Sequence, residues 1–374
     1  MTSDDSYSKQ FTSPHLLANI PMKHLLDPES AAFSDWLTLH NLPAFRERQI
    51  QKWLFENRAE EFEEMTDLPK PLREQLNEEF SLWTTTVARH QQAEDGTEKL
   101  LLQLHDGGRI ECVLLRDGMR RSICISSQVG CAMGCVFCAS GLDGVERNLT
   151  TGEIVEQMLL LQRLLPDDER LSHIVVMGMG EPLANLDRLL AALDTASDPK
   201  GLNISARRIT ISTVGLPPAI DRLTERNSKY QLAVSLHAAN DELRDQLVPV
   251  NKKIGLASIL ESADSYFEAS GRRLTFEYVL LGGINDSEQD ATQLVNLLRG
   301  RPAMLNVIPY NPVAGLPYKT PSNNACDSFR RILERGGLSV QFRKRKGDKI
   351  NAACGQLRRS NDGLVNLAPP VAEN

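Results

Sequence analysis

The alternation of short apolar runs with amphipathic segments after Arg121 restricts the fold more than any other feature of the sequence. Six βα units follow one another, and one more apolar run ends the series. The runs are SICISS, HIVVMGMG, RRITISTVG, YQLAVSLHA, RLTFEYVLL, AMLNVIPY and LSVQFRKR. Repeated βα units build a parallel sheet, either a partial barrel or a doubly wound sheet. In both, ligands bind at the carboxyl ends of the strands, so functional residues are expected there.

Five segments are predicted along the chain. They are a flexible leader (1–20), a small helical accessory domain (21–95), a β-hairpin extension (96–118), the βα domain with a C-terminal cysteine segment (119–359) and a disordered tail (360–374). Three helical patterns indicate the accessory domain: FSDWLTLHNL, FRERQIQKWLFENR and PLREQLNEEFSLW. Two alternating runs around an Asp-Gly-Gly turn, TEKLLLQL and GRIECVLL, indicate the hairpin. Thr150 and Glu153 predict a capping box at the first helix of the βα domain.

Composition and charge narrow the class of protein. The 374 residues are 41% hydrophobic and 24% charged, as in soluble globular proteins. No run of eighteen apolar residues predicts a membrane span, and the N-terminus lacks a signal pattern, so we expect a cytoplasmic protein. The net charge of −7 argues against a general nucleic-acid binder, yet residues 330–359 contain ten Lys or Arg and two acids. This basic stretch either neutralises phosphates or is a solvated face.

Three cysteines, Cys131, Cys135 and Cys138, form a C-x3-C-x2-C loop after a predicted strand. Gly130 and Gly134 let the chain wrap tightly, so that the three thiolates can converge on one metal centre. A structural zinc site needs four ligands, and no fourth Cys or His lies nearby. A [4Fe–4S] cluster with one open iron is therefore favoured, and zinc is the alternative.

Polar residues follow the ends of the next predicted strands. In MGEP, Gly180 permits close backbone approach and the Glu181 carboxylate can bind an ammonium group, although a turn with an ordinary glutamate is the alternative. Residues at later strand ends are predicted to face the same mouth, and each could instead be a strand cap. They are Ser212, Ser235, Leu236, His237 and Asn311.

Two further cysteines lie apart from the loop. Cys124 lies seven residues before Cys131, in CISSQVGC, and Cys354 lies in AACGQL, just after the basic stretch. Free cysteines are most often buried apolar residues, which is one interpretation of both. Neighbouring Arg345, Lys346 and Lys349 would instead favour a reactive thiolate at Cys354. Both interpretations stay open on the residues alone.

The cysteine loop, with the aromatic Phe137 before its last cysteine, resembles that of the radical-SAM superfamily. From about residue 21 to 359 the chain resembles the RlmN/Cfr family of RNA adenosine methyltransferases, and it is more similar to RlmN, which acts at adenine C2, than to Cfr, which acts at C8. The matching blocks are CISSQVGCAMGCVFCASG, RNLTTGEIVEQ, MGMGEPLANL, RRITISTVG, SLHAANDELR, FEYVLLGGINDS, IPYNP and AACGQL. The resemblance implies a partial (β/α)6 radical-SAM barrel with the helical accessory domain and the hairpin extension.

The resemblance also implies the cofactors and their ligands. The three loop cysteines would bind a [4Fe–4S] cluster, and two molecules of S-adenosylmethionine would be used per turnover. The residues implied to contact S-adenosylmethionine are Gly180, Glu181, Ser212, Ser235, Leu236, His237 and Asn311.

The family chemistry assigns catalytic roles to Cys354, Cys124 and Glu111. Cys354 would take a methyl group from one S-adenosylmethionine, and a radical made from the second would activate that group for addition to the base. Cys124 would then resolve the adduct through a transient disulfide with Cys354. Glu111, in RIECVLL, would accept a proton, although a solvent-facing glutamate is the plain alternative. Cys112 and Cys326 match no family role, and core packing is our interpretation of both.

The implied partners are 23S rRNA, tRNA or both, and a flavodoxin- or ferredoxin-type electron donor. A monomer is expected. An enzyme that modifies a base must expose that base from its stack, so residues 21–95 are a candidate RNA-binding domain. The competing hypotheses are a C8-specific enzyme, a radical-SAM enzyme acting on a substrate other than RNA, and a zinc-stabilised RNA-binding protein.

Overall fold

The computed structural model describes residues 23–27, 33–343, 347 and 350–358. The predicted leader (1–20) and tail (360–374) lie outside these residues, as does part of the basic stretch.

The N-terminal part of the described chain is helical. Its elements are β1 (Lys23–His24), α1 (Phe33–Leu39), α2 (Phe45–Phe55), α3 (Lys70–Glu79) and β2 (Phe80–Ser81). Strands β1 and β2 pair in parallel, while Trp36, Leu54 and Leu76 bury the apolar faces of the three helices. Pro71 lies in the first turn of α3, where the missing N–H breaks no helical hydrogen bond. The three predicted helices are therefore confirmed.

An antiparallel extension follows the helices. It consists of β3 (Thr85–Gln92), β4 (Glu98–Leu104), β5 (Arg109–Asp117) and β6 (Arg120–Cys124), paired in chain order. The hairpin β4–β5 was predicted, but β3 was not. Most residues of β3 are exposed and polar, so the strand forms through backbone pairing with β4 and leaves no alternating apolar pattern in the sequence. Because β3 pairs with β4, it belongs to the antiparallel extension, although the sequence analysis places its residues in the helical accessory domain (21–95).

The βα domain is a singly wound parallel sheet. Strand β6 is followed in the sheet by β9 (His173–Val176), β10 (Ile209–Thr213), β11 (Gln231–Ser235), β12 (Leu274–Leu280), β13 (Ala303–Pro309) and β14 (Ser339–Phe342). Each new strand adds to the same side of the previous one, whereas a doubly wound sheet reverses direction at a switch point. Among the described residues β14 and β3 are the two ends of one ten-stranded sheet, so the barrel is partial, as predicted.

Helices connect the parallel strands. They are α4 (Thr151–Arg163), α5 (Leu186–Ser197), α6 (Pro217–Glu225), α7 (Asp241–Leu247), α8 (Leu256–Ser270), α9 (Glu288–Leu298) and α10 (Asn323–Arg335). The capping box predicted at α4 is present: Thr150 Oγ1 accepts from the Glu153 N–H at 3.2 Å, and the Glu153 carboxylate accepts from the Thr150 N–H at 2.9 Å. A small ribbon, β7 (Gln128–Gly130) and β8 (Val145–Asn148), brackets the cysteine loop between β6 and α4.

Helix α4 lies between the sheet and the N-terminal helices, so even its polar residues are buried. The Glu156 carboxylate accepts from the Thr84 N–H at 2.5 Å and lies 2.9 Å from His24 Nε2. Gln157 accepts from the Ser126 N–H at 2.8 Å and donates to the Ser126 carbonyl at 3.0 Å. The helix thus holds the accessory domain on one side and the chain that leads to the cysteine loop on the other.

No helix among the described residues combines the length and apolar character that a bilayer span requires.

We predict that the docking of the N-terminal helices depends on pH through His24. Burial disfavours the imidazolium, but the hydrogen bond and charge of Glu156 outweigh it, so the pKa of His24 lies above 6.5. The charged form then stabilises the fold fully below pH 6.5, and this contribution disappears as pH rises through the raised pKa. In thermal unfolding, His24→Asn should lower the melting temperature more at pH 6 than at pH 9.

Glu156→Gln serves as the matched variant, because it keeps the shape of the partner but removes its charge. It should flatten the pH dependence in the same way. If His24→Asn lowered the melting temperature equally at both pH values, the role of the charged pair would be contradicted.

Candidate active site

A cavity opens at the carboxyl ends of strands β9 to β13, where the βα topology predicts a site. It is closed on one side by the cysteine loop and on another by the C-terminal cysteine segment, residues 350–358. Ten of the thirteen predicted site residues line it: Cys131, Cys135, Cys138, Gly180, Glu181, Ser212, Ser235, His237, Asn311 and Cys354.

The cysteine loop depends on Gly130. Its φ of +79° lies in the left-handed region, and a Cβ there would lie 2.0 Å from the Gly144 carbonyl oxygen. The same oxygen accepts from the Cys131 N–H at 2.9 Å, so the two ends of the loop are in direct contact. Only glycine fits at this position without moving the loop.

The three loop cysteines are free thiols that share one cavity. Burial raises the pKa of Cys131 to about 12 and raises that of Cys135 and Cys138, and the neighbouring thiols reinforce the shift at Cys135. Thiolate forms of these cysteines would therefore need a cationic centre to offset their charge.

Among the described residues, no three Cys, His, Asp or Glu side chains are arranged around a single ion. A four-iron cube is wider than one ion and takes each thiolate on a different iron. Soft thiol donors that line one cavity fit the donor set of an iron–sulfur cluster.

Glu181 braces two strand ends. It is 2% exposed, and its carboxylate accepts from the Leu183 N–H at 3.0 Å and the Val214 N–H at 2.9 Å. Burial raises its pKa, while these N–H groups oppose the rise. Gly180 before it has a φ of +103°, and a Cβ there would lie 2.6 Å from Gln128 Cβ. Only glycine fits at position 180, and this backbone conformation places the Glu181 carboxylate at the cavity.

His237 contributes a neutral hydrogen-bond donor to the cavity. Burial and the nearby charge of Arg244 lower its pKa to about 3. Its Nδ1 lies 3.1 Å from the Val279 N–H, which can only donate, so the ring proton is on Nε2. The ring packs edge-on against Phe137 of the cysteine loop, with 4.9 Å between centroids. The loop and the end of β11 are thereby held together.

Arg244 in α7 is a structural part of the site that the sequence analysis did not assign. Its fully buried guanidinium donates to the carbonyls of Val214 at 2.6 Å, Ser235 at 2.9 Å and Leu236 at 3.0 Å. Burial lowers its pKa to about 10, which leaves it charged at neutral pH. It joins the ends of β10 and β11 and places a positive charge near Cys135. The block SLHAANDELR contains it, but nothing in the sequence separates it from an exposed helical arginine.

The C-terminal cysteine segment is tied across the mouth of the cavity. Asn311 Nδ2 donates to the Cys354 carbonyl at 3.3 Å, Gln356 donates to the Pro312 carbonyl at 2.9 Å, and the Ala139 N–H donates to the Gly355 carbonyl at 2.8 Å. The buried Oδ1 of Asn311 accepts no hydrogen bond from the described residues. This oxygen is therefore an acceptor without a partner among the described residues, on a side chain that lines the cavity.

Cys354 and Cys124 are both free thiols, the first exposed and the second buried at the end of β6. The charges of the two sulfur atoms interact, and burial together with this interaction raises the pKa of Cys124 to about 12. The expected thiolate at Cys354 is not favoured by the described surroundings. Desolvation and the carboxylate of Glu277 raise its pKa, while Arg343 and a backbone hydrogen bond oppose the rise. Arg345, Lys346 and Lys349 lie outside the described residues.

Glu111 is buried on β5. The alternative prediction of a solvent-facing glutamate at this position is therefore wrong. Burial raises its pKa, and the charge of Lys99 opposes the rise. Its carboxylate lies 2.8 Å from Lys99 Nζ and accepts from the Arg358 N–H at 2.8 Å. It lies beside the C-terminal cysteine segment and not on the cavity wall itself.

Other predicted residues lie away from the cavity wall. Leu236 is fully buried in the core, and only its backbone contacts the site, through Arg244. Cys112 is fully buried and Cys326 is half-buried on α10.

The radical SAM superfamily matches residues 125–295, and the ribosomal RNA large subunit methyltransferase N-terminal domain matches residues 23–82. A probable dual-specificity RNA methyltransferase RlmN from Rhodopirellula baltica is 66% identical over 337 residues, which cover 90% of this chain and 91% of that protein. The chain belongs to the RlmN family.

Further relatives agree with this assignment. The dual-specificity RNA methyltransferase RlmN of Desulfosudis oleivorans is 45% identical, covering 87% of this chain and 88% of that protein. The crystal structure of a radical SAM methyltransferase from Sphaerobacter thermophilus is 42% identical with a TM-score of 0.87, covering 91% of this chain and 100% of that one. The RlmN family and the radical-SAM fold predicted from the sequence are confirmed.

We predict that Gly130→Ala disrupts the cysteine loop. The left-handed backbone costs an alanine about 1 to 2 kcal/mol, and the new Cβ also clashes with the Gly144 carbonyl. We expect a lower melting temperature and less iron bound after anaerobic reconstitution. Gly118→Ala is the control, because Gly118 has a φ of +53° but no atom within 4 Å of its Cβ position. Equal effects of the two variants would show that the clash is unimportant.

Proposed function

We propose that this protein methylates C2 of adenine in 23S rRNA and tRNA by radical S-adenosylmethionine chemistry, with a methylated Cys354 as intermediate. An RNA methyltransferase is the enzyme class of the RlmN family, to which the chain belongs. The observation that carries the proposal is the location of Cys354 on the same cavity as the three loop cysteines, although the chain separates them widely.

Cys131, Cys135 and Cys138 would hold the [4Fe–4S] cluster, with Gly180, Glu181, Ser212, Ser235, His237 and Asn311 available to S-adenosylmethionine. When bound, the cluster supplies one electron to S-adenosylmethionine, which in turn supplies the methyl group and the radical. His237 Nε2–H and Asn311 Oδ1 offer one donor and one acceptor that position a polar ligand. The buried Glu181 carboxylate offers a negative charge to a ligand ammonium.

Cys354 and Cys124 divide the sulfur chemistry between them. Cys354 is exposed at the mouth, so its sulfur can accept a methyl group and then present it to a base. Cys124 is buried, and the charge of Cys354 contributes to its raised pKa, which places the two sulfur atoms near each other. When the Cys124 thiolate attacks the Cys354 sulfur, the S–S bond forms as the S–C bond to the methylene group breaks. The electron pair of that bond stays on the methylene carbon, which takes up a proton to become the product methyl group. Two molecules of S-adenosylmethionine are consumed in this scheme, one for the methyl group and one for the radical.

Glu111 is the proposed base that removes the proton from the ring carbon. Its raised pKa makes it a stronger base than an exposed glutamate. The electron pair of the C–H bond stays with the ring, and the proton neutralises the carboxylate. The unpaired electron that radical addition leaves on the ring would return to the oxidised cluster held by Cys131, Cys135 and Cys138.

RNA is the proposed partner. The described members of the basic stretch lie on α10, just after β14 and in the C-terminal cysteine segment itself. They are Arg330, Arg331, Arg335, Arg343 and Arg358. Residues 55–79 of the accessory domain carry nine acids and three bases, so that domain is proposed to contact RNA through other residues or by shape. A flavodoxin- or ferredoxin-type donor, a monomeric state and a cytoplasmic location are part of the same proposal.

We predict that Cys354→Ala abolishes methylation of RNA but leaves reductive cleavage of S-adenosylmethionine. The assay is anaerobic reaction with methyl-labelled S-adenosylmethionine, followed by mass spectrometry of the RNA nucleosides. Cys124→Ala should instead accumulate a covalent protein–RNA adduct, because no second thiol releases it. Cys326→Ala, at a half-buried position away from the cavity, is the matched control and should act as wild type. RNA methylation by Cys354→Ala would rule out the methyl-cysteine route, and a C8 product would rule out C2.

We also predict that serine in place of Cys131, Cys135 or Cys138 prevents cluster assembly. Serine oxygen is a poor ligand for an iron–sulfur cluster compared with a thiolate. After anaerobic reconstitution, each variant should bind less iron than wild type and lack its brown colour, with Cys112→Ser as control. Full iron content in all three variants, or a colourless zinc-bound wild type, would contradict the assignment.

A further inference from the structure

A buried ion pair joins two strands of the extension. Lys99 on β4 and Glu111 on β5 are 5% and 6% exposed, and Nζ lies 2.8 Å from Oε1. The two residues are diagonal neighbours, since Lys99 pairs with Val113 in the antiparallel register. Burying a lysine is costly and rare, and hydrophobic residues could fill the same space. Stability alone therefore does not account for this pair.

Both members of the pair also contact the C-terminal cysteine segment. Lys99 Nζ donates to the Asn351 carbonyl at 3.2 Å, and the Glu111 carboxylate accepts from the Arg358 N–H at 2.8 Å. Asn351 and Arg358 lie on either side of Cys354. One ion pair thus fastens both ends of the stretch that carries the cysteine, while the Cys354 side chain stays exposed between them.

Among the described residues, few charges face Glu111. Lys99 faces it from β4, Arg358 faces it from the C-terminal cysteine segment, and the thiol of Cys112 is its neighbour on β5. Lys99 makes the direct ion pair, whereas Arg358 contributes its backbone N–H. A proton on Glu111 would remove the negative charge from this pair and weaken the attachment at both ends.

We propose that Lys99 is a positioning residue, whose ion pair with Glu111 holds the C-terminal cysteine segment closed and releases it when Glu111 takes up a proton. This inference rests on the proposed function, in which Glu111 receives the proton from the ring carbon. The proton then sits on the carboxylate, the C–H electron pair remains on the ring, and Lys99 keeps its charge. Release of the segment after this step lets the Cys354 sulfur, still bonded to the methylene group on the base, approach Cys124. The S–S bond then forms as the S–C bond breaks, and the electron pair of that bond stays on the methylene carbon.

The first test is hydrogen exchange of peptides covering residues 350–358 in the anaerobically purified full chain. Lys99→Met should speed exchange there about tenfold or more, since a buried ion pair is broken, and Lys99→Arg should restore slow exchange. Glu111→Gln mimics the protonated carboxyl and should also speed exchange. Lys70→Met is the matched control, because Lys70 forms an exposed ion pair with Glu74 on α3 and should leave the segment unchanged.

A lone buried charge could prevent Lys99→Met from folding, so the double variant Lys99→Met/Glu111→Gln is measured beside it. It leaves no unpaired charge and should melt close to wild type while the segment still exchanges fast. Wild-type exchange in both Glu111→Gln and the double variant would overturn the proposal.

The second test is the pH profile of RNA methylation. Loss of the Lys99 cation raises the pKa of Glu111 further, so the acidic limb for Lys99→Met should move to higher pH, and Lys99→Arg should reverse the move. A purely structural role would lower the rate equally at every pH, and that result would overturn the proposal. If the wild type methylates no RNA, the proposed function fails, and the exchange experiment alone decides whether the ion pair fastens the segment.

Discussion

Backbone and ionisable groups at the carboxyl ends of the parallel strands must find hydrogen-bond partners inside the protein. The site depends on which partners they find. Because the strands add in chain order to one side, their ends meet at one mouth. There the Arg244 guanidinium donates hydrogen bonds to three carbonyls, and the Glu181 carboxylate accepts hydrogen bonds from the Leu183 and Val214 N–H groups. One buried cation and one buried anion therefore fasten β9, β10 and β11 around the cavity. Both charges are tolerated because hydrogen bonds satisfy them.

A similar arrangement closes the cavity from the other side. The antiparallel extension supplies Lys99 and Glu111, which contact the C-terminal cysteine segment, while Asn311 and the cysteine loop contact it from the barrel. Cys354 thus lies where three parts of the chain meet. Hydrogen bonds and one ion pair hold the segment on either side of Cys354, and the buried side chains of Ala352 and Leu357 pack against the hydrophobic core.

Much of the fold could be predicted from the sequence. The seven parallel strands, the hairpin β4–β5, the three N-terminal helices and the capping box at Thr150 all follow from local patterns, since apolar periodicity and cap residues act over a few positions. Strand β3 could not be predicted in this way, because it is exposed and forms only by pairing with β4. The burial of Glu156 and Gln157 was also unforeseen, because it arises from two packed neighbours of α4.

The sequence by itself determined which thiols and strand-end side chains are available, since motif spacing and βα order place them at one edge of the sheet. Only the tertiary structure decided their environment. Glu111 becomes a buried partner of Lys99, and Arg244 becomes a hydrogen-bond donor that joins the ends of two strands. The pKa of Cys354 is raised, whereas the basic sequence around it predicts a lowered pKa. The physical reason is that desolvation and charge pairing depend on atoms brought together from distant parts of the chain, and no local pattern in the sequence encodes those distances.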